Sequence, residues 1–378
     1  MNTNLIWGSV CTATTVLGLA VTHAQCDQIP YQGLLGQVDT AGSVNDVAVS
    51  SAVAYIADSV EGLVAVDVQS PAAPMVLGQL EVDGAEHVVV ANDIAYVTSP
   101  STGYILLIDV SDPMNPAQVG SIDVGTEFSS VAVNGSMLAL SAAFTQLRVY
   151  DVRDPAAVEL VEQIELGATV DIEFVGSRMY VLGSGLAIYD VSDPASAVEI
   201  GATQQAGGER LAVVGDHAYA LTGSAGITTF DVSDPAQPAY VDFSSGVVPG
   251  GLFDLVGDAG NMFVMDAPIL YQLDVSDPSA PARACWQYLG GTPVNMDFDN
   301  QILFVASGEN GLQIVDAAGF CGRCEADMTE DGMLNYFDVA SFINFYSASH
   351  PIADLNGDTQ FNMFDISAFI SAYLDGCP

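Results

Sequence analysis

Between residues 32 and 318 the chain alternates short apolar runs with polar punctuation. Runs of Val, Ile, Leu and Tyr stop at Gly, Pro, Asn or Asp, the pattern of short strands joined by turns. In the first such stretch Asp46 to Val49 alternates polar and apolar residues, and Val53 to Ala57 makes a second strand. Gly62 to Val68 makes a third, Pro71 to Pro74 a turn, and Met75 to Leu80 a fourth. No segment of this region has helical periodicity. After Cys321 the period changes. Val339, Phe342, Ile343 and Tyr346 fall at i, i+3, i+4 and i+7, and Ile366, Phe369, Ile370 and Tyr373 do the same. Each set puts one apolar stripe on a helix.

The strand region is a repeat. Asp109-Val110-Ser111-Asp112-Pro113 recurs as Asp190 to Pro194, Asp231 to Pro235 and Asp274 to Pro278, with a variant from Asp151 to Pro155. Degenerate copies stand at Asp67 and Asp316. The leading aspartates, at 67, 109, 151, 190, 231, 274 and 316, are spaced by 42, 42, 39, 41, 43 and 42 residues. Seven units with the length of a four-stranded blade predict an all-β, seven-bladed β-propeller. The aspartates are expected to bond nearby backbone amides while the proline sets the turn, so they read as structural.

Closure is also legible. The last unit runs through Val294 to Phe298, Ile302 to Ala306 and Gly311 to Asp316 and lacks a fourth strand. Gln32 to Val38, which is similar to Ala117 to Ile122, is expected to supply it and so remove an open edge. That register brings Cys26 near Cys321 and predicts a disulfide between them.

The Ala95-Tyr96-Val97 and Gly226-Ile227…Asp231 to Pro235 phrases resemble the LVIVD-type propeller repeat over about residues 32 to 318. That resemblance implies the fold and is nearly silent about function.

Leu5 to Ala20 is uncharged and is followed by small residues, which reads as a secretory signal cleaved after Ala24. The predicted domains are a signal at 1–24, a propeller at 25–320 and a small module at 321–378, in a secreted or cell-surface protein with no membrane span after cleavage. Charge supports an extracellular setting. The formal total is 6 − 47 = −41, and all six basic residues are Arg. Such a surface repels nucleic acid and anionic lipid, which excludes both as main partners.

The module carries a duplicated pattern of oxygen-bearing residues. In the second copy Asp354, Asn356, Asp358, Asn362 and Asp365 stand at loop positions 1, 3, 5, 9 and 12, with the Gln360 carbonyl at position 7. In the first, Asp327, Thr329, Asp331, Met333, Asn335 and Asp338 occupy the same positions, 27 residues earlier. This is EF-hand-type spacing for a hard cation that takes six to eight oxygens, and it predicts two calcium ions. From Cys324 onward there are nine acidic and no basic residues. Thr359 replaces the usual position-6 glycine, and both loops end in Asp where an EF-hand has Glu.

Two tandem loop–helix units resemble a dockerin, and the bracketing Cys324 and Gly376-Cys377-Pro378 resemble the planctomycete-type variant. The resemblance implies a small all-α module that docks, with calcium, to a cohesin-like or other extracellular scaffold protein. Positions 10 and 11, which dockerins use for contact, are aromatic or apolar here: Tyr336, Phe337, Met363 and Phe364. Their alternative role is to fill the module's core. Cys324 and Cys377 are expected to pair as a staple, leaving Cys285 buried or free. His350, between the loops, reads as a surface residue.

No Gly-x-Ser-x-Gly, His-Glu-x-x-His or phosphate-loop motif is present, so no catalytic residue is assigned. Nine residues before the Tyr96 position, the seven units carry Asp46, His87, Ser130, Asp171, Arg210, Asp254 and Asn295. The position is polar throughout and changes identity, whereas turn and core positions repeat. It falls near the start of each innermost strand, at the mouth of a central channel, where a glycan, ion or peptide could bind. The alternative is a set of solvated strand starts. The reading that results is a non-catalytic binding or scaffold propeller, with a polysaccharide-associated enzyme or a structural adhesion component as the other classes.

Overall fold

The structure is a computed structural model. It describes residues 7–12, 25–30, 33–125, 128–142, 145–166, 169–193, 196–204, 208–222, 226–247, 254–258, 261–318, 320, 326, 328, 336–355 and 360–375. Within these, seven four-stranded antiparallel sheets follow one another as the blades of a propeller. Blade 1 is Val44–Ser50, Val53–Asp58, Gly62–Asp67 and Met75–Leu80, counted from the channel outward. The inner strands of blades 2 to 6 are Val88–Ala91, Phe128–Asn134, Thr169–Val175, Arg210–Val214 and Asp254–Asp258. Blade 7 is Asn295–Asp299, Ile302–Ala306 and Leu312–Asp316, and Leu34–Val38 pairs antiparallel with Leu312–Asp316 as its fourth strand. The ring therefore closes through the amino-terminal strand.

The second and third strands read as nearly continuous apolar runs because both their faces are covered. The core is accordingly a ring of seven apolar seams between neighbouring blades. One joins Val38, Phe304, Leu312 and Ile314 of blade 7 to Val47, Ile56, Val64 and Val66 of blade 1. Another joins Met137, Leu147 and Val149 of blade 3 to Met179, Val181 and Tyr189 of blade 4. Each large aliphatic side chain so buried contributes about 1.5–3 kcal/mol.

The repeated aspartates work as turn acceptors. Asp67, Asp109, Asp151, Asp190, Asp231, Asp274 and Asp316 each accept, through Oδ1, the backbone N–H two residues on, at 2.9–3.1 Å. The turn they brace packs against the preceding blade. There it meets an outer-strand glycine: a Cβ on Gly120 would stand 1.9 Å from the Pro155 carbonyl oxygen, and one on Gly36 would stand 2.1 Å from that of Pro71. Gly36 lies on the closing strand, so the blade 7–blade 1 seam follows the same rule. Asp58, fully buried, holds the crossover between that strand and blade 1. Its carboxylate accepts from Thr40 Oγ1 (2.7 Å), Gly42 N (3.2 Å), Val60 N (2.8 Å) and Glu61 N (2.7 Å).

Two helices follow the propeller, α1 (Tyr336–Ser347) and α2 (Met363–Asp375). Phe342 and Phe369 stack across them at 4.2 Å, in a small core with Ala326, Met328, Phe345, Ala353 and Leu355. Trp286 of the blade 6 outer strand packs against this core. His350 is half-buried at the same seam, with ring centroids 5.3 Å from Tyr288 and 5.1 Å from Phe345. This corrects its reading as a surface residue: the tight connection after α1 turns it back onto the propeller, and burial lowers its pKa. Trp7–Thr12, inside the expected signal, pairs antiparallel with Gln25–Pro30 as a separate two-stranded sheet. No helix among the described residues is long and apolar enough to cross a membrane.

Candidate functional site: the mouth of the central channel

An inner strand has only one paired edge within its own blade. Its other edge faces the next blade around the channel, and amides there need acceptors. Side chains of the seven-residue ring supply several. Asp46 Oδ2 accepts from Val88 N (2.9 Å), Asp171 Oδ2 from Leu211 N (2.8 Å) and Asp254 Oδ2 from Met296 N (2.9 Å). In each case the donor is the residue just after the ring position of the following blade. Ser130 Oγ donates to Asp171 Oδ1 at 2.9 Å, which ties blade 3 to blade 4.

The structure brings all seven ring residues to one cavity of about 370 Å³. Two further carboxylates line it, Glu173 and Asp297. Both stand two positions beyond a ring residue on the same strand, hence on the same face one layer deeper. They repeat the bridging rule at that depth. Asp297 Oδ2 accepts from Val49 N at 2.6 Å, and Glu173 accepts from the backbone of Val213. The Oε2 atom of Glu173 is buried without a hydrogen-bond partner.

Five carboxylates thus share the cavity with one guanidinium and one imidazole. Arg210 Nε lies 3.9 Å from Asp254 Oδ1, and its Nη1 donates to the Glu209 carbonyl at 3.0 Å. His87 Nδ1 lies 3.5 Å from Asp46 Oδ2. Burial pushes Glu173 up to about 8, reinforced by the Asp171 charge and only partly offset by the Val213 amide. Burial lifts Asp254 to about 7 against the pull of Arg210. Asp171 and Asp297 are raised for the same first reason. At His87 burial opposes the charged form, but the hydrogen bond and charge of Asp46 outweigh it and the net shift is upward. Among the described residues no three His, Cys, Asp or Glu side chains converge closely enough to hold a metal ion.

In the carboxy-terminal module Asp327, Thr329, Asp331, Met333, Asn335, Asn356 and Asp358 lie outside the described residues. Of the others, Asp338, Asp354 and Asp365 are buried, at 0%, 4% and 0% exposure, while Gln360 is exposed. Asn362 Oδ1 accepts from Phe364 N and Asp365 Oδ2 from Asn362 N, both at 2.8 Å. This reciprocal cap starts α2. All three buried carboxylates lie in a stretch without basic residues, but among the described residues they do not group as metal ligands. Tyr336, Phe337, Met363 and Phe364 are 75%, 68%, 76% and 68% exposed, so they do not fill the module's core. The expected Cys26–Cys321 and Cys324–Cys377 pairings fall on side chains outside the described set. Cys285 is disulfide-bonded, which replaces its reading as a left-over residue.

The LVIVD repeat family matches residues 41–81, 84–124, 167–204 and 208–242, which are blades 1, 2, 4 and 5 in phase with the sheets. These four stretches are LVIVD repeats. No curated protein matches it in sequence. Similar solved structures show the propeller fold and nothing finer. A chain of a mitotic checkpoint complex aligns with a TM-score of 0.61 at 12% identity, covering 80% of this chain and 99% of that one. The computationally designed Ika8 protein aligns at 0.55 and 8% identity, covering 75% and 99%. BamB from Moraxella catarrhalis aligns at 0.50 and 14% identity, covering 72% and 82%.

Within the LVIVD frame, Glu173 and Asp297 are the site residues that sequence reasoning missed. The signal was available. At the position two beyond the ring, the other units carry Ala48, Val89, Ala132, Ala212 and Val256. Two acids among five small or aliphatic residues stand out once the repeats are aligned in phase.

Proposed function

We propose that this LVIVD-repeat propeller is a secreted, non-catalytic binding protein whose ligand sits at the channel mouth. A calcium-dependent docking module would attach it to an extracellular scaffold partner. The observation that carries the binding reading is the single cavity shared by all seven non-repeating ring residues. A position that only braced strands would be free to repeat, as the turn aspartates do.

The docking half rests on the buried Asp338, Asp354 and Asp365 and on the outward Tyr336, Phe337, Met363 and Phe364. Asp327, Asp331 and Asp338 in the first loop, with Asp354, Asp358 and Asp365 in the second, would hold calcium. The ion would offset the mutual repulsion of these carboxylates and take their oxygens as ligands. Exposed aromatic and Met side chains beside the helices are the kind of anchor that buries on docking. Export would begin with cleavage after Ala24, which removes Trp7–Thr12 and leaves Gln25–Pro30 without its partner strand.

The test is a pull-down of the full chain from its native secretome, with and without a calcium chelator. A scaffold protein retained in calcium and lost on chelation is the expected result. Recovery of the same partners in both conditions would overturn the docking role. Turnover of a glycan substrate would overturn the non-catalytic reading.

A further inference from the structure

The channel cavity has a chemical bias that its shape alone does not convey. Its lining carries Asp46, Asp171, Glu173, Asp254 and Asp297 against Arg210 and the titrating His87. Four of the five acids already accept a backbone amide from the next blade through Oδ2, and Glu173 does so through one oxygen only. Its other oxygen, Oε2, is buried without a hydrogen-bond partner, on a residue that lines the cavity. A buried acceptor left open costs free energy unless something donates to it. The walls at its depth are apolar and small where they are not acidic, with Ala48, Val89 and Ala132 among the lining residues.

We propose that the channel binds an aliphatic ammonium group, whose N–H donors complete Glu173 in the layer walled by Ala48, Val89 and Ala132 and whose methylene stem leads out past the ring residues of the mouth. This deepens the binding-propeller reading and rests on it. A strand rise separates the Asp171 and Glu173 layers by about two residues, roughly 7 Å. An ammonium at Glu173 therefore has its stem emerging past the ring carboxylates of the mouth. A divalent ion fits less well, since among the described residues no three acidic or histidine side chains converge on one point. An anion would meet a net negative wall, and a neutral sugar would leave that charge unanswered. Two sources share the chemistry, a free diamine and the lysine side chain of a partner.

Binding is linked to protons. Glu173 and Asp254 are raised by burial to about 8 and about 7, so near pH 7 both hold protons for part of the time. The groups that face them across the cavity are Asp46, His87, Asp171, Arg210 and Asp297. A cation among these favours the ionised carboxylates and expels protons.

The experiment is calorimetric titration of the full chain with 1,5-diaminopentane and, separately, with Nα-acetyl-lysine methylamide. 1-Pentanol is the uncharged control, and buffers of different ionisation enthalpy report proton release. Both calcium-loaded and chelated protein are used, so that heat from the carboxy-terminal module is kept apart. The expected result is saturable binding of at least one amine, with proton release near pH 7 and affinity rising at least tenfold from pH 6 to pH 8.5. Glu173→Gln is expected to weaken it at least tenfold. Binding of the lysine derivative assigns a protein partner, and binding of the diamine alone assigns a small molecule. The proposal is overturned if neither amine binds wild-type protein, if pentanol binds equally, or if affinity does not rise with pH. An intact Glu173→Gln protein that binds within twofold of wild type also overturns it. A different ligand whose binding is lost on Asp171→Asn, with no amine bound, would end the ammonium assignment and leave the binding-propeller reading standing.

Discussion

Replacing Glu173 by Gln tests the physics of the channel directly, through stability. The carboxyl moves from an ordinary 4.5 to about 8 on folding. At about 1.4 kcal/mol per tenfold change in proton affinity, that corresponds to a ceiling of about 5 kcal/mol between its two forms. Water in an open channel relieves part of this, so about 2–4 kcal/mol is the working figure. The sign follows from linkage. The folded state holds this proton more tightly, so between about pH 4.5 and 8 it binds more protons than the unfolded chain. The contribution is fully present below pH 4.5 and is lost as pH rises through 8. Gln keeps an acceptor for the Val213 amide and carries no ionisable proton. Denaturant unfolding of both proteins at pH 5 and pH 9, in ligand-free buffer, isolates the effect from the titration of the other acids. The variant is expected to gain about 2–4 kcal/mol on wild type between those pH values. An equal difference at both, or wild type gaining on the variant, would refute the burial argument.

Two further substitutions test the architecture. Asp58→Ala removes the acceptor for four donors around the closing crossover. Charged hydrogen bonds contribute about 1.5–3 kcal/mol each without full additivity, so a loss of about 3–5 kcal/mol is expected by urea unfolding. A loss under about 1 kcal/mol would show that the crossover is not held there. Gly120→Ala sets a Cβ 1.9 Å from the Pro155 carbonyl oxygen, whereas Gly135→Ala meets nothing within 4 Å at its φ of 57°. The first is expected to cost about 2–4 kcal/mol and the second about 1 kcal/mol, measured by thermal or urea unfolding. Equal costs would refute the close packing of turn on outer strand.

Much of the molecule can be read from local pattern. The turn aspartates repeat because each needs only an amide two residues away, a contact written within five residues of chain. Blade count follows from their spacing. The closing strand was legible because the last unit stops one strand short while Gln32 to Val38 has the outer-strand phrase. The ring residues were legible for the opposite reason, as the polar position that does not repeat. Glu173 and Asp297 stand two positions beyond the ring on the same inward face, where five of the seven units carry a small or aliphatic residue and no polar pattern repeats. The seam at His350 was not legible, because nothing in the local sequence says which blade the helices lean on.

By itself, the sequence determined the repeat, the strand grammar, the ring of seven polar positions and the acidity. These are properties of a residue and its chain neighbours. Only the tertiary structure decided what the carboxylates do. Asp46 answers Val88, Asp171 answers Leu211 and Asp254 answers Met296 across blade boundaries some forty residues apart. The same closure buries Glu173, raises it to about 8 and leaves one oxygen unanswered. Burial and charge crowding are sums over seven blades at once. No window along the chain contains them, which is why the crowding of carboxylates around the channel emerges from the folded ring.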